Sequence, residues 1–456
     1  MKRNESIEKF RAAHIGIIGF GRGGQSLARW WQGRAAKITV SDRRSADAID
    51  FSADDHPSVR FQFDDPQLKL PQDWDALCIS GGVPNEHPYI QAALARSLPI
   101  TNDAQIFIEH CPAKVIGITG SAGKTTTTSL IGEMLRAAGN RVWVGGNIGR
   151  VLLDDLPRMQ PHDHVVMELS SFQLEWMRSS PGIATILNLT PNHLDRHGSM
   201  EAYIEAKHHI MKWQRADDWV VLSADDAHCR KLASRARGQL RWFGMQPIDR
   251  NGAYLFEEQL CLFEDQERIP LLHREEIPLR GKHNWANALA ACAVARIAGV
   301  ELAAMVQAIR SFQPVAYRLQ PIRNLDGVSY VNDSIATSPE RVIAAIASYD
   351  EPLILLLGGQ DKDLPWRPLL ERITTQVRSV ILFGEAAPMI QREWRRLAKD
   401  VPPLYRLSGL AEATRCAKQL AQAGDVVLLS PGGTSYDAYR NFEARGQHFH
   451  ELVMSL

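Results

Sequence analysis

The sequence reads as an α/β protein of three domains, each built on a largely parallel sheet. Three observations predict this. Short apolar runs with strand character alternate with helical segments, the order produced by parallel sheets covered on both faces. Glycine-rich turns stand at the strand-to-helix junctions. The length of 456 residues exceeds what one hydrophobic core usually serves, so two or three domains are expected.

The first domain, placed at 1–112, opens with a strand at Ile15 to Ile18. The turn Gly19-x-Gly21-x-x-Gly24 follows, and a helix is expected from Ser26 onward. Further strands are read at Lys37 to Asp42 and Ala76 to Ser80. The three glycines with Asp42 ending the next strand fit a dinucleotide-binding, Rossmann-like fingerprint. Alone, that fingerprint suggests a NAD-dependent oxidoreductase.

The second domain, 113–315, starts with the strand Val115 to Thr119, a glycine-rich loop and the helix beginning at Thr125. Strands at His164 to Glu168, Ala184 to Asn188 and Trp219 to Leu222 follow, and an Ala-rich helix runs from Asn284 to about Ala298. The third domain, 316–456, begins after Phe312-Gln-Pro314 and carries strands at Leu353 to Leu357, Val380 to Phe383 and Val426 to Leu429.

Composition narrows the functional classes. With 52 basic and 52 acidic residues the formal charge is zero, which gives no electrostatic reason to expect nucleic acid or a membrane surface as partner. The cysteines at 78, 111, 229, 261, 292 and 416 have no metal-binding spacing and read as reduced core residues of a cytoplasmic protein. The opening MKRNESIEKFRAAH is too polar for a signal peptide. No apolar run reaches the roughly 18 residues that span a bilayer, so no membrane insertion is expected.

The loop Gly117-Ile-Thr-Gly120-Ser121-Ala122-Gly123-Lys124-Thr125-Thr126 carries the clearest chemistry. Its glycines let backbone N–H groups wrap around phosphates at a helix N-terminus. Lys124 is placed to reach the β- and γ-phosphates of ATP, and the Thr125 hydroxyl to ligate Mg²⁺. The generic pattern wants glycine where Ile118 stands. Glu168 and His193 fall near the carboxyl ends of apolar strands, where open sheets build ligand crevices. With Thr125 they make a reasonable shell for Mg²⁺ or Mn²⁺.

Four stretches then combine: the loop above, Gly145-Gly-Asn147-Ile-Gly149, Glu168-Leu-Ser-Ser-Phe172-Gln173-Leu-Glu175, and Asn192-His193-Leu-Asp195-Arg196-His197. Together they resemble the Mur ligase family, in its glutamate-adding version, over essentially the whole chain. The resemblance implies a Rossmann-like UDP-binding N-terminal domain, a central P-loop ATPase domain and a Rossmann-like C-terminal domain. It implies an ATP-dependent ligase that joins glutamate, D-glutamate by expectation, to UDP-N-acetylmuramoyl-L-alanine through an acyl phosphate. The L-glutamate-adding variant stays open as an alternative.

The same resemblance assigns residues. Glu168 corresponds to a Mg²⁺ ligand, His193 to a ligand of a second Mg²⁺, and Lys207 to a lysine carbamylated by CO₂. By spacing alone Lys207 is a solvated helix lysine. Chemically, an ammonium beside a dication is repelled, whereas a carbamate is an anionic oxygen ligand. Asn284 and Asn287, in Gly281-Lys-His-Asn284-Trp-Ala-Asn287, correspond to ATP-contacting positions, as do Arg318 and Asp333. Arg22, Gly23, Asp42, Arg43, Arg44, Gly82 and Asn147 correspond to UDP-substrate positions, and Thr337, Lys362, Ser435 and Phe442 to the glutamate pocket. A lysine with hydroxyls suits a dicarboxylic amino acid. Two departures stand out: Ile335 replaces a lysine common in relatives, and Tyr317-Arg318-Leu-Gln320 replaces His-Arg-x-Glu. A monomer acting on small-molecule substrates is expected.

Overall fold

A computed structural model describes residues 10–64, 71–279, 281–313, 316–373, 376–397 and 402–456. Most of the polar N-terminal stretch, and Pro314 with Val315 at the expected second boundary, lie outside the described residues. The chain divides into two compact units: Met1–Ile277 with Trp285–Ser311, and Pro278–Asn284 with Phe312–Leu456.

The first unit holds two sheets. One comprises β1 (His14–Ile18), β2 (Lys37–Asp42), β3 (Val59–Phe63), β4 (Ala76–Ile79) and β5 (Ile100–Thr101), in the order β3-β2-β1-β4-β5. Every pairing is parallel. The turn after β1 is tight because glycine permits it. Gly19 has φ 81°, and a Cβ on Gly24 would strike the Gly19 carbonyl. The following helix, Arg22–Trp31, begins directly after Gly21 rather than at Ser26. Two glycines in its first turn mask that start, since glycine is a poor helix former.

The other sheet has nine strands: β6 (Lys114–Thr119), β7 (Val142–Gly146), β8 (His164–Glu168), β9 (Ile183–Ile186), β10 (Trp219–Ser223), β11 (Gln239–Gly244), β12 (Gly252–Phe256), β13 (Gln259–Glu264) and β14 (Glu267–His273). Their order is β14-β13-β12-β11-β10-β9-β6-β8-β7. From β6 the chain goes to β7 and β8 on one side and returns to β9 on the other. That reversal creates the crevice where open sheets bind ligands. The last three strands form an antiparallel meander, an addition to the expected parallel sheet. One continuous apolar cluster runs from Ile15, Phe20 and Phe107 to Leu152, Val165 and Ile186. This shared core explains why the first two sheets form a single unit.

The second unit contains β15 (Gln320–Leu325), β16 (Val328–Asn332), β17 (Leu353–Gly358), β18 (Val377–Phe383), β19 (Leu404–Arg406) and β20 (Val426–Gly432), ordered β15-β16-β20-β17-β18-β19. All pairings are parallel except the β15–β16 hairpin. Along β17 the side chains alternate: Leu353, Leu355 and Leu357 enter one apolar layer, Ile354 and Leu356 the other. A strand apolar at every position is thereby buried on both faces.

Candidate active site

The P-loop joins β6 to the helix Lys124–Ala137. Gly123 caps that helix at φ 85° without a side-chain cap bond, and a helix N-terminus favours an anion. A Cβ on Gly123 would collide with Oδ1 of Asn287, which places Asn287 against the loop. Asn287 and Asn284 are both buried in the helix Lys282–Ile297. The loop is braced from outside its own segment. The Asn188 side chain bonds Ala122 through both amide and carbonyl, at 3.1 and 2.8 Å. Ser121 donates to the Thr190 carbonyl at 2.8 Å and lies 3.0 Å from the Tyr203 hydroxyl. Lys124 folds back onto the Gly120 carbonyl at 3.0 Å. Thr126 is buried beneath the loop.

Glu168 is the last residue of β8, whose register places it beside Ile118 of β6. Its carboxylate accepts from the Thr125 hydroxyl at 2.8 Å and from the Asn147 amide at 2.8 Å. Among the described residues no group of three or more His, Cys, Asp or Glu is gathered in metal-binding geometry. A cation at this loop would therefore draw on one carboxylate, one hydroxyl, phosphate oxygens and water. That oxygen set fits Mg²⁺, which keeps several waters and favours substrate phosphates.

Lys207 lies in the helix Met200–Lys212 with 2% of its surface exposed. Its Nζ donates to the Thr119 hydroxyl at 3.2 Å and to the Gly120 carbonyl at 3.0 Å. Burial pushes its ammonium well below the ordinary lysine range; Lys124 adds to that shift and Glu168 opposes it. The solvated-lysine alternative does not hold. CO₂ adds to the neutral amine, and burial shifts Lys207 towards that form.

His193 is exposed and sits beyond the end of β9 at φ 54°, a left-handed conformation. Its ring meets Phe172 edge-on at 5.1 Å. Phe172 stacks on His197 at 5.3 Å and 8° and carries the Arg196 guanidinium 4.4 Å from its centroid. Arg196 in turn donates to the carbonyls of Gly82 and Val83 at 3.4 and 2.9 Å. The motif around Glu168 and the motif around His193 thus pack on each other and brace the loop after β4. Asn188, Phe172 and Arg196 are structural partners that motif reading left without roles.

At the N-terminal fingerprint Asp42 is buried, accepting from the Phe20 amide at 2.7 Å and from both ends of the Arg44 fork at 3.0 and 2.7 Å. Burial opposes its ionisation, but the Arg44 and Phe20 bonds prevail and hold the carboxyl below its ordinary range. Gly23 lies in the first helical turn, and a Cβ there would rest against Asp103 and Ser80. Arg22 donates to the Gly149 carbonyl at 2.7 Å, joining the first sheet's loop to the segment of Asn147. Arg43 is exposed.

In the second unit, Asp333 is buried, accepting from Ser430 at 2.8 Å and from the Leu319 amide at 3.2 Å. Burial raises its carboxyl to about 7, against the pull of these bonds and of Arg318 and Arg341. Ser435 is buried, Thr337 half-buried and Lys362 exposed. Phe442 meets Tyr317 edge-on at 6.4 Å. The Ile335 backbone carbonyl accepts from the Arg341 guanidinium at 2.9 Å.

Comparisons with known proteins match this arrangement along the chain. The Mur ligase MurD-like N-terminal domain matches residues 13–102, the Mur ligase middle domain 118–295, and the Mur ligase glutamate ligase domain 317–433. The chain is 40% identical over 444 residues to the UDP-N-acetylmuramoylalanine–D-glutamate ligase of Symbiobacterium thermophilum, covering 96% of this chain and 97% of that protein. It is 35% identical over 459 residues to the enzyme of the same name from Clostridium novyi, covering 99% of each. Among solved structures, the UDP-N-acetylmuramate-alanine ligase MurC of Thermotoga maritima superposes with a TM-score of 0.60 at 18% identity, over 97% of this chain and 99% of that one. The MurF ligase of T. maritima in complex with ADP gives 0.58 at 18% identity, over 98% and 97%. The chain belongs to the Mur ligase family.

Proposed function

We propose that the chain is an ATP-dependent ligase that joins D-glutamate to UDP-N-acetylmuramoyl-L-alanine, as a cytoplasmic monomer in peptidoglycan precursor synthesis. The observation that carries the reading is the buried Thr125–Glu168 pair at the P-loop, joined from the exposed side by the Asn147 amide, with the buried amine of Lys207 donating to the carbonyl of the same loop's Gly120. The relatives of this name, similar over nearly the whole chain, supply the amino acid. No helix among the described residues is long and apolar enough to cross a membrane.

Roles divide between 1–112 for the UDP substrate, 113–315 for ATP and 316–456 for glutamate. The P-loop amides and Lys124 hold the phosphates, with Asn284, Asn287, Arg318 and Asp333 around the nucleotide. Arg22, Gly23, Asp42, Arg43, Arg44, Gly82 and Asn147 hold the UDP substrate. Thr125 and Glu168 would hold one Mg²⁺, and His193 with carbamylated Lys207 a second. Bound there, Mg²⁺ or Mn²⁺ supplies charge neutralisation to the phosphates. The alanyl carboxylate attacks the γ-phosphorus and ADP leaves, giving an acyl phosphate; catalysis here is chiefly positioning and electrostatics. The glutamate amine then attacks the acyl carbon, and phosphate departs with the former carboxylate oxygen. Lys124 is placed to stabilise the tetrahedral oxyanion. Thr337, Lys362, Ser435 and Phe442 position the amino acid. Because an acyl phosphate hydrolyses, turnover demands that water be excluded until the amine attacks.

Substrate labelled with ¹⁸O in the alanyl carboxylate tests this route. One labelled oxygen per turnover should appear in the released phosphate. Unlabelled phosphate would rule the acyl phosphate out.

A further inference from the structure

We propose that Arg445 is a positioning residue for the incoming amino acid, gathering the loops of the glutamate pocket around one buried guanidinium. This inference rests on the glutamate-ligase reading above and extends it to a residue with no part in that scheme.

The placement of Arg445 needs an explanation. It is fully buried at 0% exposure and lies in the first turn of the helix Phe442–Met454, the end of a helix dipole that disfavours cations. Among the described residues no carboxylate bonds it. Burial lowers its pKa to about 10, with Asp437 and Tyr439 opposing, so it stays charged at neutral pH. A buried unpaired charge is costly unless its donors are all used. Here they are. Nε donates to the Ser334 hydroxyl at 3.0 Å, Nη1 to the carbonyls of Gly433 and Thr434 at 3.2 and 2.9 Å, and Nη2 to the carbonyls of Ser334 and Gly433 at 2.9 and 3.2 Å. A guanidinium has five N–H donors in a fixed plane, and only that fork matches these acceptors.

The acceptors belong to the segments that carry the glutamate residues. Ser334 precedes Thr337 in the turn after β16, and its hydroxyl passes a hydrogen bond to the Phe442 carbonyl at 2.8 Å. Thr434 adjoins Ser435 and exchanges backbone bonds with Gln360 at 2.8 and 2.9 Å, just ahead of Lys362. One side chain therefore fixes the backbone next to Thr337, Ser435, Phe442 and, through Gln360, Lys362. The Thr434 carbonyl points at the guanidinium, so across its trans peptide the Ser435 N–H points the opposite way.

The test compares the unaltered chain with Arg445→Lys and Arg445→Ala, measuring KM for glutamate, ATP and the UDP substrate alongside the thermal midpoint. Lysine keeps the charge but not the fork. In folded Arg445→Lys the KM for glutamate should rise about tenfold or more, with the other two KM values within about twofold. Millimolar guanidinium should restore part of the glutamate KM of Arg445→Ala. An unchanged glutamate KM in folded Arg445→Lys, or three KM values rising together, overturns the proposal. If neither variant folds, Ser334→Ala carries the test: a rise of about threefold in glutamate KM supports it, and no change overturns it. An unaltered chain that turns over no glutamate removes the ligase reading itself, a separate outcome from a defect confined to the variants.

Discussion

Lys207 gains its chemistry from its surroundings. On a helix surface it would be an ordinary cation, but packed among Thr119, Gly120 and Tyr203 its burial pushes its pKa well below the ordinary lysine range. Replacing it with alanine should lower kcat by about a hundredfold or more, the loss expected when a group acting only in turnover is removed. On the proposed carbamylation of Lys207, acetate or propionate should restore part of the rate by supplying an anionic oxygen. Full activity in Lys207→Ala would contradict the role. Asp333 gives a pH-dependent counterpart. Its folded pKa of about 7 lies above the unfolded value of about 3.9, so the folded state binds the extra proton between those pH values. The stability it contributes is complete below pH about 4 and falls as pH rises towards 7, by at most about 4 kcal/mol. Asp333→Asn should flatten that part of the stability–pH curve of the second unit; an unchanged slope in chemical denaturation would refute it. Glu168 and His193 are legible as motif residues because a carboxylate and an imidazole near strand ends carry their chemistry with them, whereas Lys207 is legible only through the family resemblance. Arg196 and Arg445 are not legible, because their roles depend on carbonyls that folding brings from distant segments.

At the scale of elements, parallel strands are legible where apolar runs are continuous, as in β1, β6, β8 and β17. The antiparallel strands β12 to β14 are hidden by their turns. Glu257-Glu258 and Asp265-Gln266 both take positive φ at two consecutive positions, the primed turn of a two-residue hairpin, which usually announces itself as Asn-Gly or Asp-Gly. Asp326-Gly327 does carry that signature between β15 and β16, so that hairpin was readable. Non-glycine residues in the left-handed region cost roughly 1 kcal/mol each. Changing Glu257 to Asn and Glu258 to Gly should therefore raise the stability of the first unit by about 1 kcal/mol, seen as a higher thermal midpoint. A lower midpoint would show that the Glu side chains do other work. In the P-loop the same logic runs in reverse. Gly123→Ala adds both strain at φ 85° and a collision with Asn287, so the KM for ATP should rise about tenfold or more. An unaltered ATP KM would exclude the loop geometry described here.

For the molecule as a whole, the P-loop, Glu168 and Lys207 belong to the first compact unit, and Asp333 with the proposed glutamate residues to the second. The three-domain composition was legible from strand order and glycine turns, whereas the merging of the first two sheets was not, since it depends on an apolar cluster assembled across both. A non-hydrolysable ATP analogue at about a hundred times its Kd should stabilise the first unit by about 2.7 kcal/mol. The most direct test of the whole account is phosphate release from ATP with UDP-N-acetylmuramoyl-L-alanine, run in parallel with D-glutamate, L-glutamate and no amino acid. The account predicts sustained release with D-glutamate alone. Release with L-glutamate alone would contradict the stereochemistry, and silence with both in folded protein would contradict the glutamate-ligase function itself.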